Sequence, residues 1–180
     1  MAGLRVLGID PGSRVTGWGL VEAALRSPRP IASGTAVPRG PDAAARLGDL
    51  TGRIELLLDE WQPVAIAMER AFVGRNVLSA LRLGEVRGAV LALAGRRGIP
   101  VADYPPATVK RAVTGFGRAE KDAVARGVDL ILGGRHAAGD ATDALAVAIC
   151  HVLHAGAERR LAVRSLPLGA GAPRWRVRRA

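Results

Sequence analysis

Four acidic residues stand at positions from which a carboxylate could do chemistry. Asp10 and Glu69 each end a short apolar run that predicts a buried β-strand, and Pro-Gly turns the chain directly after Asp10. Asp140 and Asp143 open an apolar segment three residues apart, so a helix would place both on one face. Strand ends and first helical turns hold charged groups at fixed points, which is how metal and phosphate sites are often built.

Each of these carboxylates also has an ordinary structural explanation. Asp-Pro-Gly is common turn chemistry, so Asp10 could simply close a hairpin, and acidic residues are frequent at helix starts. However, residues 144–150 are strongly apolar, which indicates that the last helix packs into the body. Two aspartates this close also repel each other unless a cation lies between them. Four carboxylates without cysteine ligands or a histidine cluster suit a hard cation such as Mg²⁺ or Mn²⁺.

Composition points to a polyanionic partner. The 180 residues carry a net charge of +10, and the basic residues are almost all arginine, with lysine only at Lys110 and Lys121. In a basic protein, the natural substrate of a carboxylate-held metal is a phosphodiester. No apolar run is long enough to span a membrane. Nothing at the N-terminus resembles a signal peptide, and Cys150 cannot form an internal disulfide, so we expect a cytoplasmic location.

The elements that must position these residues follow from the change in hydrophobic period along the chain. Strands are predicted at residues 3–9, 14–22, 31–37, 64–68 and 99–103, and helices at 43–60, 76–97, 105–113, 120–132 and 139–154. The predicted organisation is one α/β domain over residues 1–155 and a basic, mostly disordered tail over 156–180. Glycines in the second strand suggest that another part of the backbone approaches it closely.

Two further features follow from this order of elements. A right-handed β-α-β crossover can bring the first and fourth strands side by side, which would place Asp10 and Glu69 at neighbouring strand ends. The helix at 76–97 is apolar over much of its circumference, so we expect it to be buried on two sides, one of them against a partner subunit.

Taken in order, these motifs resemble the RuvC-type Holliday junction resolvases. The resemblance rests on residues 8–13, Glu69 with Phe72, Asn76 with residues 79–81, Lys110, residues 119–121 and residues 140–146. It implies an RNase H-like fold, a five-stranded mixed sheet flanked by helices. It also implies a Mg²⁺-dependent endonuclease with two ions in each site, for which Mn²⁺ could substitute. Such an enzyme acts as a homodimer on four-way junction DNA, together with the RuvAB branch-migration complex.

The resemblance also assigns roles by position. Asp10, Glu69, Asp140 and Asp143 match the family's catalytic acids and metal ligands. Lys110 and Lys121 match basic residues near the scissile phosphate, Phe72 matches an aromatic residue that stacks on a junction base, and Arg75 and Asn76 would contact DNA.

Three other interpretations are less favoured. Actin-like ATPases also begin with a strand that carries an aspartate, but they need two such domains. A non-catalytic DNA-binding protein would gain nothing from four carboxylates that repel DNA in the absence of metal. A nuclease of the YqgF type shares the fold, but the Phe72 loop and the long helix favour the resolvase.

Overall fold

The computed structural model describes residues 4–24, 27–70 and 77–164, with side chains of the last helix described as far as residue 156. Five strands and five helices occur in these residues. In chain order they are β1 (Leu4–Asp10), β2 (Thr16–Ala23), β3 (Arg29–Ala36), α1 (Ala43–Trp61), β4 (Ala65–Glu69), α2 (Val77–Arg97), β5 (Val101–Tyr104), α3 (Pro106–Thr114), α4 (Lys121–Leu132) and α5 (Asp140–Arg164).

The strands form one mixed sheet in the order β3-β2-β1-β4-β5. The first three strands pair antiparallel as a meander, whereas β4 pairs parallel to β1 and β5 parallel to β4. The parallel register places Ile9 opposite Met68, so Asp10 and Glu69 end neighbouring strands at the same edge. The predicted five-stranded mixed sheet, and the adjacency of its first and fourth strands, are therefore confirmed.

Each face of the sheet has its own hydrophobic core. On one face, α3, α4 and α5 bury an aliphatic cluster that includes Val109, Val128 and Leu145. On the other face, α1 and α2 cover a second cluster that includes Leu50, Ile54 and Val90. The 3% aromatic content forces both cores to be built from Leu, Val, Ile and Ala.

Glycines let α5 lie directly on the sheet. A Cβ atom on Gly17 would stand 2.0 Å from the carbonyl oxygen of Asp140, and one on Gly8 would stand 2.0 Å from that of Ala144. Any other residue at these two positions would therefore push α5 outward. The close approach that the glycines of β2 predict is thus made by α5.

Helix ends mostly follow the sequence signals. The Asp42 side chain accepts a hydrogen bond from the backbone of Ala45 and caps α1, in agreement with the preference of aspartate for this position. The predicted end of α5 at His154 is wrong, because the helix continues to Arg164. Alanine, arginine and leucine dominate residues 155–164 and are strong helix formers, which explains the extension. Residues 165–180 lie outside the described residues.

No helix within the described part of the chain is long and apolar enough to cross a membrane.

Candidate active site

Three carboxylates from two elements converge at the edge of the sheet where β1 and β4 end. Carboxylate oxygens of Asp10, Asp140 and Asp143 all lie within 4.8 Å of one another. Glu69 ends the neighbouring strand and stands outside this close group, but its charge reaches Asp10. The structure therefore places all four predicted acids at one edge of the sheet. Three of them form a close group, and Glu69 lies beside it.

Local chemistry fixes both halves of this cluster. After β1, Thr16 closes the turn because its hydroxyl donates to the carbonyl of Gly12 at 3.3 Å. Before α5, Gly139 adopts a left-handed φ of 57°, and its carbonyl accepts from the backbone of Thr142 and Asp143. Both aspartates of α5 consequently lie in its first turn, where the positive end of the helix dipole stabilises negative charge.

Burial and mutual repulsion disfavour the charged state of this site. Burial is the largest cause that raises the pKa of Asp10, to about 7, and the charges of Asp143, Glu69 and Asp140 add to it. Burial and the charge of Asp143 likewise raise the pKa of Glu69, against the opposing charge of Lys110. Carboxylates that resist ionisation next to one another gain most from a bound cation, because the cation removes their repulsion.

Both lysines of the chain act on this site. The ammonium of Lys121, at the start of α4, lies 2.9 Å from Oδ2 of Asp143, and this contact raises the pKa of Lys121. Lys110 lies on α3, and its charge lowers the pKa of Glu69. Both lysines therefore influence the acidic cluster, and their predicted position near the scissile phosphate stays a prediction.

The donor set fits a hard divalent cation. All three close groups offer carboxylate oxygen, which Mg²⁺ and Mn²⁺ prefer over softer ligands. The softer donors, histidine nitrogen and cysteine sulfur, are less suited to bind a metal here. Nδ1 of His151 lies 2.9 Å from the Tyr104 hydroxyl. Burial raises the pKa of the Cys150 thiol to about 12, which disfavours the thiolate that a metal would need. His136 contacts the carbonyl of Leu132 through its ring nitrogen, at 3.2 Å.

Three of the predicted site residues lie outside the residues that the structure describes. Phe72, Arg75 and Asn76 belong to the segment 71–76, of which the structure describes nothing.

One contact beside the site was not predicted from the sequence. Arg87 on α2 donates to the backbone carbonyl of Glu69 at 3.4 Å and pairs with Asp103. No local sequence pattern announces that contact, because the partners are 16 or more residues apart and meet only through the sheet.

Comparison with known proteins agrees with this geometry. The family model of crossover junction endodeoxyribonuclease RuvC matches residues 6–151 of the chain. The chain belongs to the RuvC family. A RuvC of Halorhodospira halophila is 46% identical over 155 residues, which cover 85% of this chain and 92% of that protein. A RuvC of Paramagnetospirillum magneticum is 43% identical over 161 residues, which cover 88% of this chain and 97% of that protein.

Solved structures match the RuvC fold as well. The Thermus thermophilus RuvC in complex with a Holliday junction substrate superposes with a TM-score of 0.80 at 34% identity, over 86% of this chain and 96% of that one. The yeast mitochondrial Holliday junction resolvase Ydc2 superposes with a TM-score of 0.63 at 13% identity, over 92% of this chain and 87% of that one. The second likeness concerns the fold alone, and together with the sheet order it confirms the RNase H-like class.

Proposed function

We propose that this RuvC-family chain resolves Holliday junctions by hydrolysing phosphodiesters in two opposed strands, in recombination and DNA repair. The family is that of the crossover junction endodeoxyribonucleases. One observation carries the proposal: carboxylates of Asp10, Asp140 and Asp143 meet within 4.8 Å on rigid elements of a strongly basic protein. Carboxylates facing a polyanion would only repel it unless they held metal.

Mg²⁺ is the proposed cofactor, with two ions in each site and Mn²⁺ as a possible substitute. Asp10, Asp140 and Asp143 would hold the metal, with Glu69 beside them. Bound there, divalent cations lower the pKa of an attacking water and offset charge on the phosphate oxygens. The protein contributes by fixing the carboxylates on β1, β4 and α5 and by excluding softer ligands from their surroundings.

Lysine side chains would complete the chemistry. In the absence of metal, Lys121 neutralises Asp143, so a bound cation would compete with the ammonium for that carboxylate. A displaced ammonium would remain within reach of the scissile phosphate and stabilise its developing charge. Lys110 would act similarly from the side of Glu69.

A homodimer would supply the second active site that paired cutting requires. The first turns of α2 expose Val77 by 67%, Leu78 by 67% and Leu81 by 59%, whereas its buried residues begin at Val86. Clustered aliphatic side chains on a helix face that the described part of the chain leaves exposed are typical of a protein interface. We place the dimer contact on this face.

The remaining expectations belong to the same proposal. Phe72 would stack on a junction base, and Arg75 and Asn76 would contact the DNA nearby. The RuvAB branch-migration complex is the proposed partner in a cytoplasmic reaction.

The experiment that tests the proposal compares a synthetic four-way junction with a linear duplex of the same sequence, each with Mg²⁺ and with EDTA. The proposal predicts paired nicks in opposed strands of the junction, only when Mg²⁺ is present. Binding without cutting in both Mg²⁺ and Mn²⁺ would instead favour an architectural DNA-binding protein.

A further inference from the structure

A polar cleft of about 440 Å³ lies beside the turn that follows Asp10. The turn, the N-terminal part of α1 and the middle of α2 form its walls. Charged and polar side chains line it: Ser13, Arg14, Asp42, Arg46, Arg82 and Glu85. The cleft therefore gathers three guanidinium groups, from three separate elements, next to the candidate active site.

These three arginines differ from the arginines that serve the fold. Arg53, Arg87, Arg96 and Arg97 each form an ion pair with an acidic side chain. Within the described part of the chain, no ion pair involves Arg14, Arg46 or Arg82. Arg46 donates to the carbonyl of Ser13 at 3.0 Å, which joins α1 to the turn that follows Asp10. A carbonyl carries no net charge, so this contact does not neutralise the guanidinium.

Two carboxylates also line the cleft, and among the described residues only one of them has a hydrogen-bond partner. Asp42 accepts the backbone hydrogen bond that caps α1, at 2.8 Å. Glu85 is exposed on α2, one turn after Arg82. The cleft is therefore net positive, because three guanidinium groups line it and only two carboxylates do. Arginine forks match phosphate oxygens in geometry as well as in charge.

We propose that this cleft binds a backbone phosphate of the DNA substrate at a position away from the scissile bond, with Arg82 and Arg46 as its principal contacts. The inference rests on the proposed function, because the substrate there is junction DNA. Arg46 is joined to the turn that follows Asp10. A phosphate held in the cleft would therefore fix the position of the DNA strand relative to Asp10. Glu85 opposes this binding and limits its strength.

The chain offers controls of matched charge at the opposite edge of the sheet. Helix α2 begins where β4 ends and runs back to the edge where β5 begins, which places its C-terminal arginines far from the cleft. Arg96 pairs there with Glu55 and Arg97 with Asp59. Arg96→Ala and Asp59→Asn therefore change net charge by one without touching the cleft, and exposed pairs of this kind contribute only about 0–1 kcal/mol to the fold.

The test measures junction affinity as a function of salt, in EDTA so that no cleavage occurs. Arg82→Ala should weaken binding by about 3- to 10-fold and reduce the salt slope by roughly one, because about 0.9 of a counterion is released per neutralised phosphate. Glu85→Gln should strengthen junction binding, because it removes a negative charge that repels the phosphate. Arg96→Ala and Asp59→Asn should leave both quantities close to those of the parent. If Arg82→Ala behaves like Arg96→Ala, the cleft does not bind DNA.

A second measurement identifies the ligand as a phosphate of the DNA. Methylphosphonate groups, which carry no charge, are placed one at a time along the junction strands. One position should weaken binding by the parent protein and have little effect on Arg82→Ala. If every position weakens both proteins equally, the inference is overturned and the cleft serves another occupant, such as an acidic protein surface. Parent protein that cuts no junction at all would refute the proposed function itself, which is a separate result.

Discussion

At the residue scale, the candidate active site consists of four carboxylates whose negative charges repel one another. Asp10 has the most perturbed environment of the four, because it ends a buried strand and lies within 4.8 Å of both aspartates of α5. A site of this kind is costly in the metal-free protein and is relieved by a cation. Because this repulsion depends on ionisation, the free energy of unfolding should depend on pH.

The stability of the metal-free protein should fall between about pH 4 and pH 7. The pKa of Asp10 is about 7 in the folded protein against an ordinary value of 3.8, so the folded state holds a proton that the unfolded chain has released. Stability that depends on this proton is lost as the pH rises through that window. Asp10→Asn should remove the loss and be more stable than the parent at pH 8 by on the order of 1–3 kcal/mol. Denaturant unfolding in EDTA measures this.

The exposed carboxylate of Asp59 serves as the control for that experiment. Arg97 lowers its pKa, so its contribution has the opposite sign and fades only under acidic conditions. Asp59→Asn should therefore keep the decline in stability toward neutral pH. A parent protein whose stability is flat from pH 4 to pH 7 would show that Asp10 is not perturbed as described.

Removal of the Lys121 ammonium should separate metal binding from catalysis. Because Lys121 lies 2.9 Å from Asp143, it competes with a cation for that carboxylate. Lys121→Met should bind Mn²⁺ more tightly in calorimetry and cut junctions more slowly, by roughly 10²-fold if it stabilises transition-state charge. Weaker metal binding in Lys121→Met would mean that the lysine organises the carboxylates rather than competing for them.

At the scale of elements, the glycines of β1 and β2 decide whether the site assembles. Their missing side chains let α5 rest on the sheet and bring Asp140 and Asp143 to Asp10. The sequence predicted the strands, the helix and the close approach to β2, because period and turn chemistry are local signals. It did not predict Arg87 on the carbonyl of Glu69, because that contact is made only in the tertiary structure. It also did not predict the continuation of α5 to Arg164, because Gly156 disfavours a helix at the start of that segment.

Gly17→Ala should damage the metal site more than the fold. The added Cβ atom would lie 2.0 Å from the carbonyl of Asp140, so the start of α5 must move. We expect a loss of about 1–3 kcal/mol in the free energy of unfolding and a large loss of metal affinity. Gly84→Ala is the matched control on α2, where no atom in the described part of the chain lies within 4 Å of an added Cβ atom, and it should be neutral or stabilising by up to about 1 kcal/mol. Unchanged metal affinity in Gly17→Ala would contradict this account of helix placement.

At the scale of the whole molecule, paired incision requires two sites held at a fixed separation. The exposed aliphatic start of α2 is the face proposed to join two chains, and the apolar pattern of residues 76–97 predicted the same helix from the sequence.

Leu81→Glu should produce a monomer. Charge at the centre of an apolar interface is strongly unfavourable, so light scattering should report a single chain at concentrations where the parent is a dimer. The monomer should keep its metal affinity and nick one strand at a time. Leu56→Glu, at an α1 position that is 69% exposed, is the control and should remain a dimer. A dimeric Leu81→Glu protein would place the interface elsewhere.

The proposed function requires that metal held by the carboxylate cluster drives the cleavage of a bound junction. The most direct measurement forms the complex of protein and four-way junction without metal and starts the reaction with Mg²⁺, for the parent and for Asp10→Asn. We predict that Asp10→Asn binds the junction at least as tightly as the parent, because one repelling carboxylate is gone, and that its single-turnover rate is lower by at least roughly 10²-fold, because metal stabilisation of transition-state charge is worth several kcal/mol. Cleavage by Asp10→Asn at the rate of the parent would contradict the account.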